Sequence, residues 1–127
     1  MGQWRAAADI PATPRGPAAA RHVVRGLLEG WELGELAPDA SVVVSELVSN
    51  AVEHAPATDS FELELLCHEG RLRITLADGS SIKPVIAALD TARTRGRGML
   101  IVSELADDWG AEEFRDGKRV WVELVLP

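Results

Sequence analysis

Two stretches of apolar–polar alternation, each folded back on itself at a glycine turn, constrain this chain more than any other feature. In the first, Phe61, Leu63, Leu65 and Cys67 alternate with charged or polar residues, apart from Leu66. After a turn at Glu69-Gly70, Leu72, Ile74 and Leu76 alternate with Arg71, Arg73 and Thr75. In the second, a run from Trp109 to Arg115 reaches a turn at Asp116-Gly117, and Val120, Val122, Leu124 and Leu126 then share one face. Period two is the signature of a half-buried strand, and two such runs around a glycine turn form a hairpin. Two hairpins imply a largely antiparallel sheet with one apolar face, which other elements must cover.

The remaining periodic segments are helical and supply that cover. Pro17 suits the first position of a helix, where its missing N–H costs nothing, and Ala18, Val23, Val24, Leu27 and Leu28 recur at helical spacing up to a stop at Gly30. A loop leads from Gly30 through Pro38 to Asp39, a candidate N-cap. Residues 39–55 are the strongest helical segment: Val44, Leu47, Val48, Ala51 and Ala55 fall on one face, while Glu46, Ser49, Asn50 and Glu53 fall on another, and Pro56 ends it. A short helix is expected over Met99, Leu100, Val102 and Leu105, ending near Asp107. Residues 1–16 form an N-terminal segment with one edge strand around Trp4 to Ile10. The order helix, helix, hairpin, loop, helix, hairpin predicts an α+β two-layer sandwich, with helices on one face of a mainly antiparallel, mixed sheet. At 127 residues this is one domain, expected over residues 17–127.

Charge and cysteine content narrow the function. A formal net charge of −7 argues against general nucleic-acid binding, which relies on Lys and Arg to neutralise phosphates. One cysteine allows neither an internal disulfide nor a cysteine-based zinc site. No apolar run approaches the ~18–20 residues that span a bilayer, and no apolar leader opens the sequence, so a cytoplasmic protein without membrane contact is expected.

Three short segments can carry chemistry. Glu46 and Asn50 lie four residues apart on one helix face, where a carboxylate and an amide oxygen suit a hydrated magnesium ion. His54 follows four residues later and can edge the same site. The plainer reading of this stripe is an amphipathic helix showing its polar side to water. Asp78 ends a strand pattern and can accept a hydrogen bond from a ligand's amino group, although Asp-Gly pairs usually make turns. Gly96-Arg97-Gly98 precedes a helix, where free N–H groups attract phosphate, but the same three residues also suit a hinge. His22, His54 and His68 have no metal-ligand spacing, Cys67 reads as a small core residue, and the four Trp are expected to pack rather than stack on bases.

Taken in order, these segments resemble a known family. Glu46-Leu47-Val48-Ser49-Asn50-Ala51-Val52-Glu53-His54-Ala55 resembles the N box of the GHKL ATPase superfamily, most closely the anti-sigma factor serine kinases and related small actinobacterial ATP-binding regulators. Asp78-Gly79-Ser80 is similar to its G1 box, Gly96 to Val102 to its G2 box, and the Trp109-Gly110 and Val120-Trp121 strands to its C-terminal hairpin. The resemblance implies a Bergerat-type sandwich, a histidine-kinase-like ATPase domain that holds ATP under a lid spanning about residues 81–95. In that scheme Asn50 ligates Mg2+, Glu46 serves as general base, and His54 edges the nucleotide site. Asp78, with Ser80 beside it, accepts the adenine amino group. Gly96, Arg97, Gly98, Met99 and Leu100 cradle the phosphates. The sequence departs from the family pattern at Ser80 and Ile82, which replace glycines, and at Arg119, which stands where many relatives have a threonine that helps bind adenine. The implied activity is a protein serine kinase that phosphorylates an antagonist (anti-anti-sigma) protein and sequesters a sigma factor, in relatives that often form homodimers. The alternative is a non-catalytic module that binds nucleotide or sequesters a protein partner.

Overall fold

The computed structural model describes residues 3–54, 59–78, 98–114 and 117–127. Five strands form one sheet: β1 (Trp4–Pro11), β2 (Ser60–His68), β3 (Arg71–Asp78), β4 (Asp108–Phe114) and β5 (Gly117–Val125), in spatial order β1-β2-β3-β5-β4. Every described pairing is antiparallel. Both alternating runs are hairpins as expected, and β1 is an edge strand lying against β2. The turn between β2 and β3 is made by Glu69 at φ +51° and Gly70 at φ +78°, the left-handed region that a tight hairpin turn uses.

Helices α1 (Gly16–Gly30), α2 (Ala37–His54) and α3 (Gly98–Leu105) accompany the sheet, and a 3-10 turn over Gly34–Leu36 fills the expected loop between α1 and α2. The second helix begins two residues before Asp39, which therefore sits inside the first turn rather than at the N-cap; its carboxylate still complements the positive end of the helix dipole. An Arg21 guanidinium N–H donates to the Ser45 hydroxyl at 2.8 Å and ties α1 to α2.

One face of the sheet is apolar and covered. Its ladder reads in rows: Ala6, Leu65, Ile74, Val122 and Trp109 form one, and Ala8, Leu63, Leu76, Val120 and Ala111 the next. Leu63, Leu65, Ile74, Val122, Val24, Leu28, Val43, Val44 and Val48 are buried in a single core with Val102 of α3. The opposite face is polar: Arg73 lies 4.4 Å from the centre of the Trp121 ring, and Glu123 accepts from Arg71 at 3.2 Å and from Arg73 at 3.0 Å. This is the α+β two-layer sandwich, and helices and apolar rows meet because each has only one stripe to bury.

Candidate functional site

Helix α2 turns Ala40, Val43, Val44, Leu47 and Val48 into the core. At 100° per residue, Glu46, Asn50 and His54 then fall on a separate stripe, one turn apart, and all three are half-buried. Half-burial distinguishes them from Ser49 and Glu53 on the same helix, which are exposed. His54 Nε2 lies 3.4 Å from a carboxylate oxygen of Glu53. Asn50 thus presents its amide at the margin of the core, although asparagine is a poor helix former.

The C-terminal half of α2 lies at one particular end of the sheet. A Cβ added to Gly16 would press into the Pro11 carbonyl oxygen and sit 2.9 Å from Val48 Cγ1 and 3.5 Å from Ile10 Cγ2, so Val48, Ile10 and the start of α1 meet there. Ile10 pairs with Phe61, and Phe61 pairs with Asp78. The last turn of α2 and the last residue of β3 are therefore brought to the same end, although 24 positions separate His54 from Asp78 in the sequence.

A residue that sequence reading passed over belongs to this end as well. The β3–β5 ladder pairs Leu76 with Val120 and ends with Ala77 opposite Arg119, so Asp78 and Lys118 follow directly on the last pair, on neighbouring strands. On the other side Lys118 pairs with Glu113 of β4. Lys118 shares the parity of Val120, Val122 and Leu124, the covered face, and is only 3% exposed. Arg119, to which the family comparison drew attention, has the other parity. It lies on the open face, where it donates to a Glu112 carboxylate oxygen at 2.6 Å. The signal that could have singled out Lys118 is that parity, counted from Val120.

Helix α3 has its C-terminal end anchored at the far end of the sheet, where the Asp107 N–H donates to the Glu123 carbonyl at 2.9 Å. Its Gly98 start lies seven positions before Leu105, about 10 Å along the axis. Gly98 and Met99 open this helix, and Leu100 is exposed. Ser80, Gly96, Arg97, Ile82 and the expected lid over 81–95 lie outside the described residues.

The other chemistry-bearing residues sit elsewhere. Cys67 is buried, and burial pushes its thiol above the usual value, which disfavours the nucleophilic thiolate. His22 and His68 are exposed on α1 and at the end of β2. Trp4 and Trp31 pack with ring centres 5.8 Å apart and line an apolar cavity of about 510 Å³ at the hairpin end, with Leu33, Cys67 and Leu126. None of the candidate site residues lines that cavity. Among the described residues no group of three or more His, Cys, Asp or Glu could hold a metal by itself.

Residues 10–125 match the family model of the histidine kinase-like ATPase domain. The match spans nearly the whole chain, and the protein belongs to that family: it is a GHKL-type, ATP-binding domain. No curated protein matches the chain significantly. The donor set at the Asp78 end fits a magnesium nucleotide chemically. An amide oxygen at Asn50 suits a hard cation that takes few protein ligands, keeps its waters and completes its shell with phosphate oxygens. A carboxylate, as Asp78 carries at a strand end, has acceptors to offer an amino group.

Proposed function

We propose that this chain is an anti-sigma-type regulator, a cytoplasmic protein serine kinase that phosphorylates a small antagonist protein and sequesters a sigma factor. The observation that supports this reading is the convergence of the α2 stripe and Asp78 on one end of the sheet. Asn50 holds magnesium, and Asp78 takes the adenine amino group. Glu46, one turn back along α2, faces the incoming serine. Bound magnesium ATP supplies the phosphoryl group and the charge that offsets its transfer. Glu46 accepts the proton of the serine hydroxyl as the serine oxygen bonds to the terminal phosphorus; the bond to the bridging oxygen breaks and ADP leaves. Charge neutralisation and positioning carry most of such a reaction, so a carboxylate that only orients the hydroxyl already contributes.

The test is radiolabel transfer from ATP to candidate antagonist proteins. Glu46→Gln keeps size and hydrogen-bonding reach but removes the base, so transfer falls by about 10²–10⁴ while ATP affinity stays near wild type. Transfer at the wild-type rate would remove Glu46 from the chemistry. A wild-type protein that binds ATP but labels no antagonist is instead a sequestering module.

A further inference from the structure

At the hairpin end of the sheet the covered face is only partly closed. The row there pairs Trp4 with Cys67, Cys67 with Leu72 and Leu72 with Leu124. Exposure along it rises from 0% at Leu72 through 7% at Cys67 to 45% at Trp4. The core is thus sealed over β3 and opens towards β1. The chain that follows α1 turns a corner at Glu32, a residue with a side chain that adopts φ +59°. The Leu33 N–H donates to the Leu28 carbonyl at 2.7 Å and holds this corner to the end of the helix. Trp31 and Leu33, on either side of Glu32, line the cavity of about 510 Å³ together with Trp4, Cys67 and Leu126 of the sheet. A left-handed backbone at such a residue must be enforced by its surroundings, and positions of this kind gather at ligand sites.

We propose that this cavity, with its tryptophan wall and the Glu69 carboxylate, binds a small organic cation that carries an apolar body, of the quaternary ammonium class. Its volume falls within the roughly 300–1,000 Å³ of small-molecule sites, and like them it is walled mainly by apolar and aromatic groups. Charge decides among the apolar molecules that would fit. The Trp4 and Trp31 rings, with centres 5.8 Å apart and planes inclined by 36°, form one aromatic wall, and indole is the best aromatic partner for a cation. Glu69, at the hairpin turn, adds a carboxylate to the lining, and no lysine or arginine lines the cavity. Arg71, the nearest arginine along the hairpin, shares the parity of Arg73 and donates to Glu123 at 3.2 Å on the open face. An anion would therefore meet a carboxylate with no fixed cation to offset it. A quaternary ammonium has no N–H to satisfy, so ring faces and a nearby negative charge hold it without precisely placed acceptors. Leu33 and Leu126 cover its apolar body. Asp78 stands at the opposite end of β3, so this site is separate from the nucleotide site and does not depend on it.

The experiment is calorimetric titration of three probes into wild type, Trp4→Leu and Glu69→Gln: benzyltrimethylammonium, its neutral isostere with a tert-butyl group in place of the ammonium, and benzoate. Wild type is expected to bind the cation about fivefold or more tightly than the neutral isostere, and benzoate least. Trp4→Leu keeps an apolar side chain but removes a ring, and is expected to lose about 2- to 30-fold for the cation and far less for the isostere. Glu69→Gln is expected to lose about 1.5- to 5-fold for the cation alone. Both residues are exposed, and circular dichroism checks the fold. Cys67, the single cysteine, reports the location, because a saturating cation should slow its modification by a thiol reagent. No binding of the cation at millimolar concentration overturns the proposal. Equal affinity for the cation and its isostere overturns it too, and both results stand even if Trp4→Leu fails to fold. A cation that binds but leaves Cys67 labelling unchanged sits elsewhere on the acidic surface, which also overturns it.

Discussion

Two rows of the same sheet face, four residues apart along each strand, have opposite chemistry. The row Ala6, Leu65, Ile74, Val122, Trp109 lies under the helices, and Leu65, Ile74 and Val122 are fully buried and apolar. The row at the end of the same face begins apolar at Ile10 and Phe61, and the residues at that end of β3, β5 and β4 are the charged Asp78, Lys118 and Glu113. Both rows obey the same period-two rule, so alternation alone does not set them apart. The difference is position: the inner row can only be filled with hydrocarbon, whereas the terminal row borders the end of the sandwich and can hold groups that contact a ligand. Residues that would be errors in the first row are the functional candidates of the second.

Substitutions in the two rows should therefore fail in different ways. The largest loss is expected in the inner row. Ile74→Ala removes a fully buried side chain from the middle strand and should cost about 2–5 kcal/mol in urea unfolding. A cost below about 1 kcal/mol would mean that the centre of the core is looser than its burial indicates. In the terminal row the loss moves from stability to binding. Asp78→Asn should weaken ATP by about 10- to 150-fold, or about 1.5–3 kcal/mol, and should narrow discrimination against GTP, with little change in melting temperature. Equal ATP affinity in variant and wild type would return Asp78 to a turn residue. Gly16→Ala sharpens the boundary between the two behaviours. Its new Cβ would collide with the Pro11 carbonyl and with Val48 at 2.9 Å, where α1, β1 and α2 meet. The expected cost is about 1–3 kcal/mol of stability, read by thermal melting. The smallest effect belongs to the open face. Arg73→Ala removes a cation over Trp121 and one of two arginines on Glu123, and should cost about 0.5–1 kcal/mol without touching nucleotide affinity.

The elements themselves were legible in the sequence. The two hairpins, the edge strand and the three helices all followed from period two, period 3.6, and the turn residues between them. The errors were local. Asp39 lies inside the first turn of α2 because the 3-10 turn at Gly34–Leu36 lets the helix begin at Ala37, earlier than a cap signal indicates. Asn50 could be placed on a polar stripe by counting, but its half-burial depends on what packs beside α2.

The sequence by itself determined the class of this protein: which segments are strands, which are helices, and that one face of each must be buried. Those properties follow from local periodicity and solvent. Only the tertiary structure decided which of two adjacent cations lies on the covered face. Lys118 and Arg119 are both basic, and the family likeness drew attention only to the second, as a departure from its pattern. A strand sends successive side chains to opposite faces, so the register with β3 assigns Arg119 to the open face and Lys118 to the covered one. A slip of one residue would exchange them. What fixes that register is the burial of Val120, Val122 and Leu124 against helices that are remote in sequence.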